Sequence, residues 1–225
     1  MTPNPATPDQ VNRNCIAAAG ERIRPWIRRT PVVDVTVPSI EEPVTLKLET
    51  LQHTGSFKAR GAFSNLVGAD IPDAGVAAAS GGNHGAAVAY AAMRLGIRAR
   101  IFVPTISTPA KVERIRSYGA EVLVEGENYA AALANCEAYM EETGAHGIHA
   151  YDVPATMCGQ GTIGRELEDQ APDNHTILVA VGCGVPGARR LPGSREQRAA
   201  SGLDCCADSR AGTGFQPLRG GVAPG

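Results

Sequence analysis

From residue 44 onward, short runs rich in β-branched and small apolar residues, at 44–48, 76–79, 100–103, 121–124 and 176–181, alternate with stretches whose apolar residues recur at helical spacing. A helix between two strands returns the chain to the same end of the sheet, so the strands that it joins lie parallel and its apolar stripe covers one face. The pattern predicts an α/β fold of parallel sheet with flanking helices. Val88, Ala91, Ala92 and Leu95 share one stripe, and Gly96 stands where a helix C-cap belongs. Thr108-Pro109 opens a second helix near 110–118, as N-cap and first-turn proline. Tyr129, Leu133, Cys136 and Met140 align within 128–142, and core packing is the simpler reading of that stripe than a binding face.

The 225 residues carry a net charge of −2, without the basic surplus of a nucleic-acid or membrane binder. No run approaches the roughly twenty apolar residues of a membrane span, and residues 1–14 are polar and proline-rich without an apolar signal core. A cytoplasmic protein is expected. Cys15, Cys136, Cys158, Cys183, Cys205 and Cys206 lack the paired C-x-x-C spacing of a zinc site and read as reduced thiols. His53, His84, His146, His149 and His175 show no H-E-x-x-H or i, i+4 pair, so no metal is assigned.

Chemistry concentrates in two glycine-rich segments, His53-Thr-Gly-Ser-Phe-Lys58-Ala-Arg-Gly61 and Ser80-Gly-Gly-Asn-His-Gly85. The first lies between the alternating Val44, Leu46, Leu48 and the helical run Ala59, Ala62, Phe63, Leu66, Val67, which puts Lys58 near a strand-to-helix corner. Partial burial there lowers an ammonium pKa towards the range in which the amine is a nucleophile, as a Schiff-base lysine requires. Alone, Lys58 would read as a surface helix lysine; the second turn changes the balance. That turn opens a helix, whose N-terminal N–H groups suit a carboxylate.

The two segments, with Thr30-Pro31, Leu46-Lys47-Leu48-Glu49 and Gly159-Gln160-Gly161-Thr162-Ile163-Gly164, occur in an order that resembles the fold-type II pyridoxal-phosphate enzymes. Within them the chain is most similar to the threonine/serine dehydratase and serine racemase group, from about residue 16 to residue 184. The resemblance implies pyridoxal 5′-phosphate bound through Lys58, Phe57 packed on its ring, Asn83 hydrogen-bonded to its phenolic oxygen, and Ser80, Gly81, Gly82, Asn83 and His84 receiving the substrate carboxylate. It implies a small domain at 72–149 inserted in a large one made of 1–71 and 150–184, and a homodimer. The activity implied is conversion of L-threonine or L-serine to a 2-oxo acid and ammonia. Racemases of the group carry a serine where this chain has Gly81, which favours elimination over racemisation.

Gly182, Cys183 and Gly184 begin a run that in the resembled group cradles the cofactor phosphate through backbone N–H groups. Val185 and Pro186 depart from it, since valine lacks glycine's conformations and proline has no N–H. Gly182, Gly184 and Gly187 also fit a dinucleotide-binding G-x-G-x-x-G pattern, but Pro186 and Pro192 interrupt the helix that it needs. Residues 185–225 carry arginine but no lysine and show no hydrophobic period. They read as an out-of-frame tail, and the polypeptide as written reads alternatively as an inactive fragment of such an enzyme.

Overall fold

The computed structural model describes residues 11–179 except 39 and 41. Its centre is a four-stranded parallel sheet in the order β5-β4-β3-β6, built from β3 (Val76–Ala79), β4 (Ala99–Val103), β5 (Glu121–Val124) and β6 (His146–Gly147). β3 pairs with β4 from Val76↔Ala99 to Ala79↔Phe102, and with β6 at Val76↔His146 and Ala77↔Gly147. Every residue of β3 is buried, as a central parallel strand covered on both faces must be.

Between the strands lie α3 (Asn83–Leu95), α4 (Pro109–Arg116) and α5 (Tyr129–Thr143). Val76, Ala78, Ile101 and Val103 pack with α3 and Ile115 on one face, while Ala77, Ala79 and Phe102 pack with Cys136 on the other. Gly96 ends α3 in the left-handed conformation at φ 69°, where a glycine carries no Cβ penalty. Thr108 holds the cap position of α4, but its hydroxyl makes no capping bond. The stripe on α5 is core at Cys136, whereas Tyr129 is exposed.

Around this sheet pack α1 (Arg13–Ile23), the antiparallel ribbon of β1 (Val32–Val35) and β2 (Val44–Lys47), α2 (Lys58–Leu66) and α6 (Pro154–Gln170). Sequence periodicity marks neither β1, β6, α1 nor α6. Conversely, residues 176–179 form no strand, and the rest of that expected strand lies outside the described residues. α2 and α6 cross closely through glycines. A Cβ on Gly159 would lie 2.6 Å from Ser64 Cβ and 2.7 Å from the Arg60 carbonyl oxygen.

Arg60, wholly buried, bridges the elements around this crossing. Its guanidinium donates to Glu49 at 2.8 and 2.7 Å, to Glu166 at 2.7 and 2.9 Å and to the Thr162 hydroxyl at 3.0 Å. Lys47 donates to Glu166 at 2.5 Å, Gln170 at 2.6 Å and the Thr30 carbonyl at 2.8 Å. Two cations thus face two carboxylates, which is what makes their burial tolerable. Burial alone would raise the Glu166 carboxyl, but the bonds from Arg60 and Lys47 outweigh it and hold it below the ordinary carboxylate value.

The expectation of reduced thiols fails at one pair: Cys15 of α1 and Cys158 of α6 form a disulfide across 143 residues. Neither residue sits in a recognisable cysteine motif, and only the docking of α1 on α6 brings them together, so spacing could not reveal the pair. Cys136 is a buried free thiol. Among the described residues, no helix is long and apolar enough to cross a membrane.

Candidate active site

The sheet order places the site. From β3 the chain moves outward to β4 and β5, then crosses back to lay β6 on the other side of β3. β4 and β6 thus flank β3 on opposite sides, and the carboxyl ends of strands at such a reversal of strand order are where open α/β sheets bind ligands. After β3 come Ser80, Gly81 and Gly82, with α3 beginning at Asn83. After β6 come residues 148–153, and α2 brings Lys58 to the same edge.

Lys58 is the first residue of α2 and is only 6% exposed. Its Nζ donates to the Ala150 carbonyl at 2.8 Å and lies 5.1 Å from the ring centroid of half-buried Phe57. Two 3-10 turns, Glu49–Leu51 and His53–Gly55, deliver it there from β2. Within the second, Thr54 takes a left-handed conformation at φ 58°, uncommon for a threonine and sustained only by its surroundings. Those surroundings are specific: Arg114 donates to the Thr54 carbonyl, Tyr90 bonds His53 Nδ1 at 3.1 Å, and Gln52 accepts from the His53 N–H at 3.0 Å.

The turn opposite is built for close approach. Ser80 Oγ accepts from the Gly82 N–H at 3.2 Å and is thereby turned into its own loop. A Cβ at Gly81 would lie 2.1 Å from Ser107 Oγ, so the serine from the loop after β4 already fills that volume. No side chain caps α3 at Gly82, and its first-turn N–H groups present a positive end to an anion. Asn83 is exposed at the start of α3, and its amide makes no hydrogen bond to the described residues.

His84 serves differently. It is buried, and its ring Nε2 lies 2.9 Å from the Ile148 carbonyl oxygen, tying the β3 turn to the β6 turn. Burial pushes its pKa down to about 4, with Lys58 and His149 acting in the same direction against the Ile148 bond. The neutral ring then donates from Nε2 to Ile148.

Lys58, Phe57 and residues 80–84 are thus gathered at one edge, while Gly182, Cys183, Gly184 and the 185–225 tail lie outside the described residues. Sequence reasoning missed the partners: the carbonyls of Ile148 and Ala150, which no side-chain signal marks, and Ser107, whose loop carries no motif. The residues present fit an aldehyde cofactor held on Lys58. The amine is sheltered, an aromatic ring adjoins it, and the facing turn is glycine-lined. Ser56 Oγ, two residues before Lys58, and the Gln160 amide against Gly61 are buried without a partner among the described residues. Such orphaned groups mark places for a ligand or water.

A sheltered lysine amine, an adjoining aromatic ring and a glycine-lined turn thus meet at the sheet's carboxyl edge. The chain belongs to the pyridoxal-phosphate dependent enzyme family, whose profile matches residues 23–187. It is 41% identical over 175 residues to phenylserine dehydratase of Ralstonia pickettii, covering 76% of this chain and 53% of that protein. The solved T.th. threonine deaminase superposes with a TM-score of 0.67 at 40% identity, over 72% of this chain and 52% of that one. Maize serine racemase gives a TM-score of 0.67 at 36% identity, over 72% and 51%. The chain therefore spans about half the length of the relatives that it matches.

Proposed function

We propose that the enzyme to which this stretch belongs removes the β-hydroxyl and amino groups of L-threonine or L-serine, releasing a 2-oxo acid and ammonia. The observation that carries the reading is that Lys58 Nζ and His84 of the Ser80–His84 turn meet carbonyls two residues apart, those of Ala150 and Ile148. Dehydratase and deaminase chemistry is what two of the matched proteins are named for. Pyridoxal 5′-phosphate, the family's cofactor, supplies the electron sink that makes a Cα–H bond acidic.

The chain's own residues do the rest. With the cofactor bound, Lys58 Nζ would be the amine that holds its aldehyde and, once released, the base that takes the proton from substrate Cα; at 6% exposure it is sheltered for both roles. The N–H groups at the start of α3 and the backbone of Gly81 and Gly82 hold the substrate carboxylate, which fixes Cα over Lys58. With the cofactor bound, the Asn83 amide would be the donor to its phenolic oxygen and Phe57 the residue packed on its ring, and Gly182, Cys183 and Gly184 would help to hold its phosphate.

In this reading residues 72–149 are the small domain and residues 1–71 and 150–184 belong to the large domain of a cytoplasmic homodimer. Racemisation is the second reading, favoured by the likeness to maize serine racemase and opposed by the missing side chain at Gly81.

Borohydride reduction of the chain with pyridoxal phosphate, followed by peptide mapping, tests the anchor. The label is expected on Lys58 and is lost in Lys58→Ala; labelling of another lysine in preference overturns the assignment. A parent extended to the length of its relatives is expected to form 2-oxo acid from threonine or serine. D-serine without oxo acid would select the racemase reading. An extended parent that labels at Lys58 yet turns over neither amino acid would refute the substrate assignment.

A further inference from the structure

We propose that Cys15 and Cys158 form a reversible thiol-exchange site, a covalent strap between α1 and α6 that low-molecular-weight thiols open by attack on Cys15. The two Cα atoms stand 5.9 Å apart across 143 residues of chain, and the two sulfurs are unequal in access. Cys15 lies half-exposed in the first turn of α1, whereas Cys158 is 6% exposed within α6. Exchange requires a thiolate to reach one sulfur along the S–S axis, so access directs the first attack to Cys15.

The electron count closes with two thiols. The incoming thiolate bonds to Cys15 Sγ, the Sγ–Sγ bond breaks, and its electron pair passes to Cys158 Sγ, which takes a proton from solvent. A second thiolate attacks the incoming sulfur of the mixed disulfide and expels Cys15 as thiolate, which is protonated in turn. Two external thiols leave as a disulfide, and the cystine gains two electrons and two protons.

The location of Cys15 suits this second step and its reverse. It is the third residue of α1, and the Asn12 backbone N–H points at its sulfur at 3.4 Å. A helix N-terminus and an N–H donor stabilise a thiolate, making Cys15 the better leaving group and, when reduced, the thiol that attacks an external disulfide. Buried Cys158 has no such help and reacts only with Cys15.

Opening the strap does not detach α1. Ile16, Ala19 and Ile23 remain buried, and Arg13 still forks onto Glu168 at 2.7 and 2.6 Å. What changes is the restraint on α6 beside Thr156, which donates to the His149 carbonyl at 3.0 Å next to the Lys58 acceptor. Redox state is thus read by the helix that backs the crevice, in a chain that stays folded.

The test is peptide mapping of the native, purified chain after exposure to reduced glutathione and iodoacetamide. Without glutathione, the Cys15 and Cys158 peptides are expected as one cross-linked species that resists alkylation. With it, glutathione is expected on Cys15 at least tenfold more than on Cys158, before loss of native fluorescence. In Cys158→Ser, oxidised glutathione is expected to modify Cys15; in Cys15→Ser, Cys158 is expected to stay unmodified. Both cysteines alkylated without reductant, equal glutathione on the two, or opening only after unfolding would each overturn the proposal.

Discussion

Replacing Gly159 by alanine sets two effects of opposite sign against each other. In an open helix position the change gains about 1 kcal/mol of helix propensity. Here the new Cβ would lie 2.6 Å from Ser64 Cβ and 2.7 Å from the Arg60 carbonyl oxygen, both parts of α2 that no rotamer can move aside. Overpacking of that kind costs about 1–3 kcal/mol, and a clash with backbone belongs at the upper end. The net expectation is a loss of about 2 kcal/mol. Gly20 is the matched control, since it too is helical but a Cβ there would meet only Thr162 Cγ2 at an ordinary 3.6 Å. Gly20→Ala should gain about 1 kcal/mol from propensity alone. The single tryptophan, Trp26, stacks on Phe63 of α2 at 5.8 Å and reports unfolding by fluorescence. With a urea slope of about 2 kcal/mol per molar, Gly159→Ala lowers the midpoint by about 1 M and Gly20→Ala raises it by about 0.5 M. Equal stabilisation by the two alanines would refute the close α2–α6 crossing.

Arg60→Met should cost about 3 kcal/mol in the same assay, because it leaves the partly buried carboxylates of Glu49 and Glu166 without this cation; a loss under about 1 kcal/mol would contradict the network. Gly81→Ser should destabilise the chain through Ser107 Oγ, and adding Ser107→Gly should recover most of the loss; an additive double variant would mean that the two positions do not share one volume. His84, with its ordinary 6.5 pushed down to about 4, contributes stability present above pH 6.5 and lost as pH falls towards 4. The full loss is on the order of 3 kcal/mol, read as the urea midpoint against pH. His84→Gln should flatten that window, and an unchanged slope would remove His84 as its cause.

The parallel sheet was legible because its strands are local: 76–79, 100–103 and 121–124 each carry their own apolar run between helical stripes. β1 and β6 were not, for different reasons. β6 spans two residues, His146 and Gly147, and exists only as a rung on β3. β1 is defined by pairing with β2 across a long connection, and half its residues are exposed. In the site, Lys58 and the Ser80–His84 turn stood out because glycine and lysine in such a pattern have few other reasons to occur together. Ser107 and the β6 connection escaped because what matters there is position in space: a serine in an unremarkable loop fills the gap left at Gly81. The disulfide escaped likewise, its partners joined by helix docking.

Lys58 donates to the main-chain oxygen of Ala150, and the His84 ring to that of Ile148. No substitution at these two positions deletes an oxygen that every amino acid carries. A side-chain scan of this edge would therefore score 148 and 150 as permissive while the oxygens that accept from the lysine and the imidazole stayed in place throughout. The vulnerable point is the path of the peptide, which a proline or an inserted residue after β6 would redirect. Side-chain variation at 148 and 150 is then free to occur without removing either acceptor oxygen.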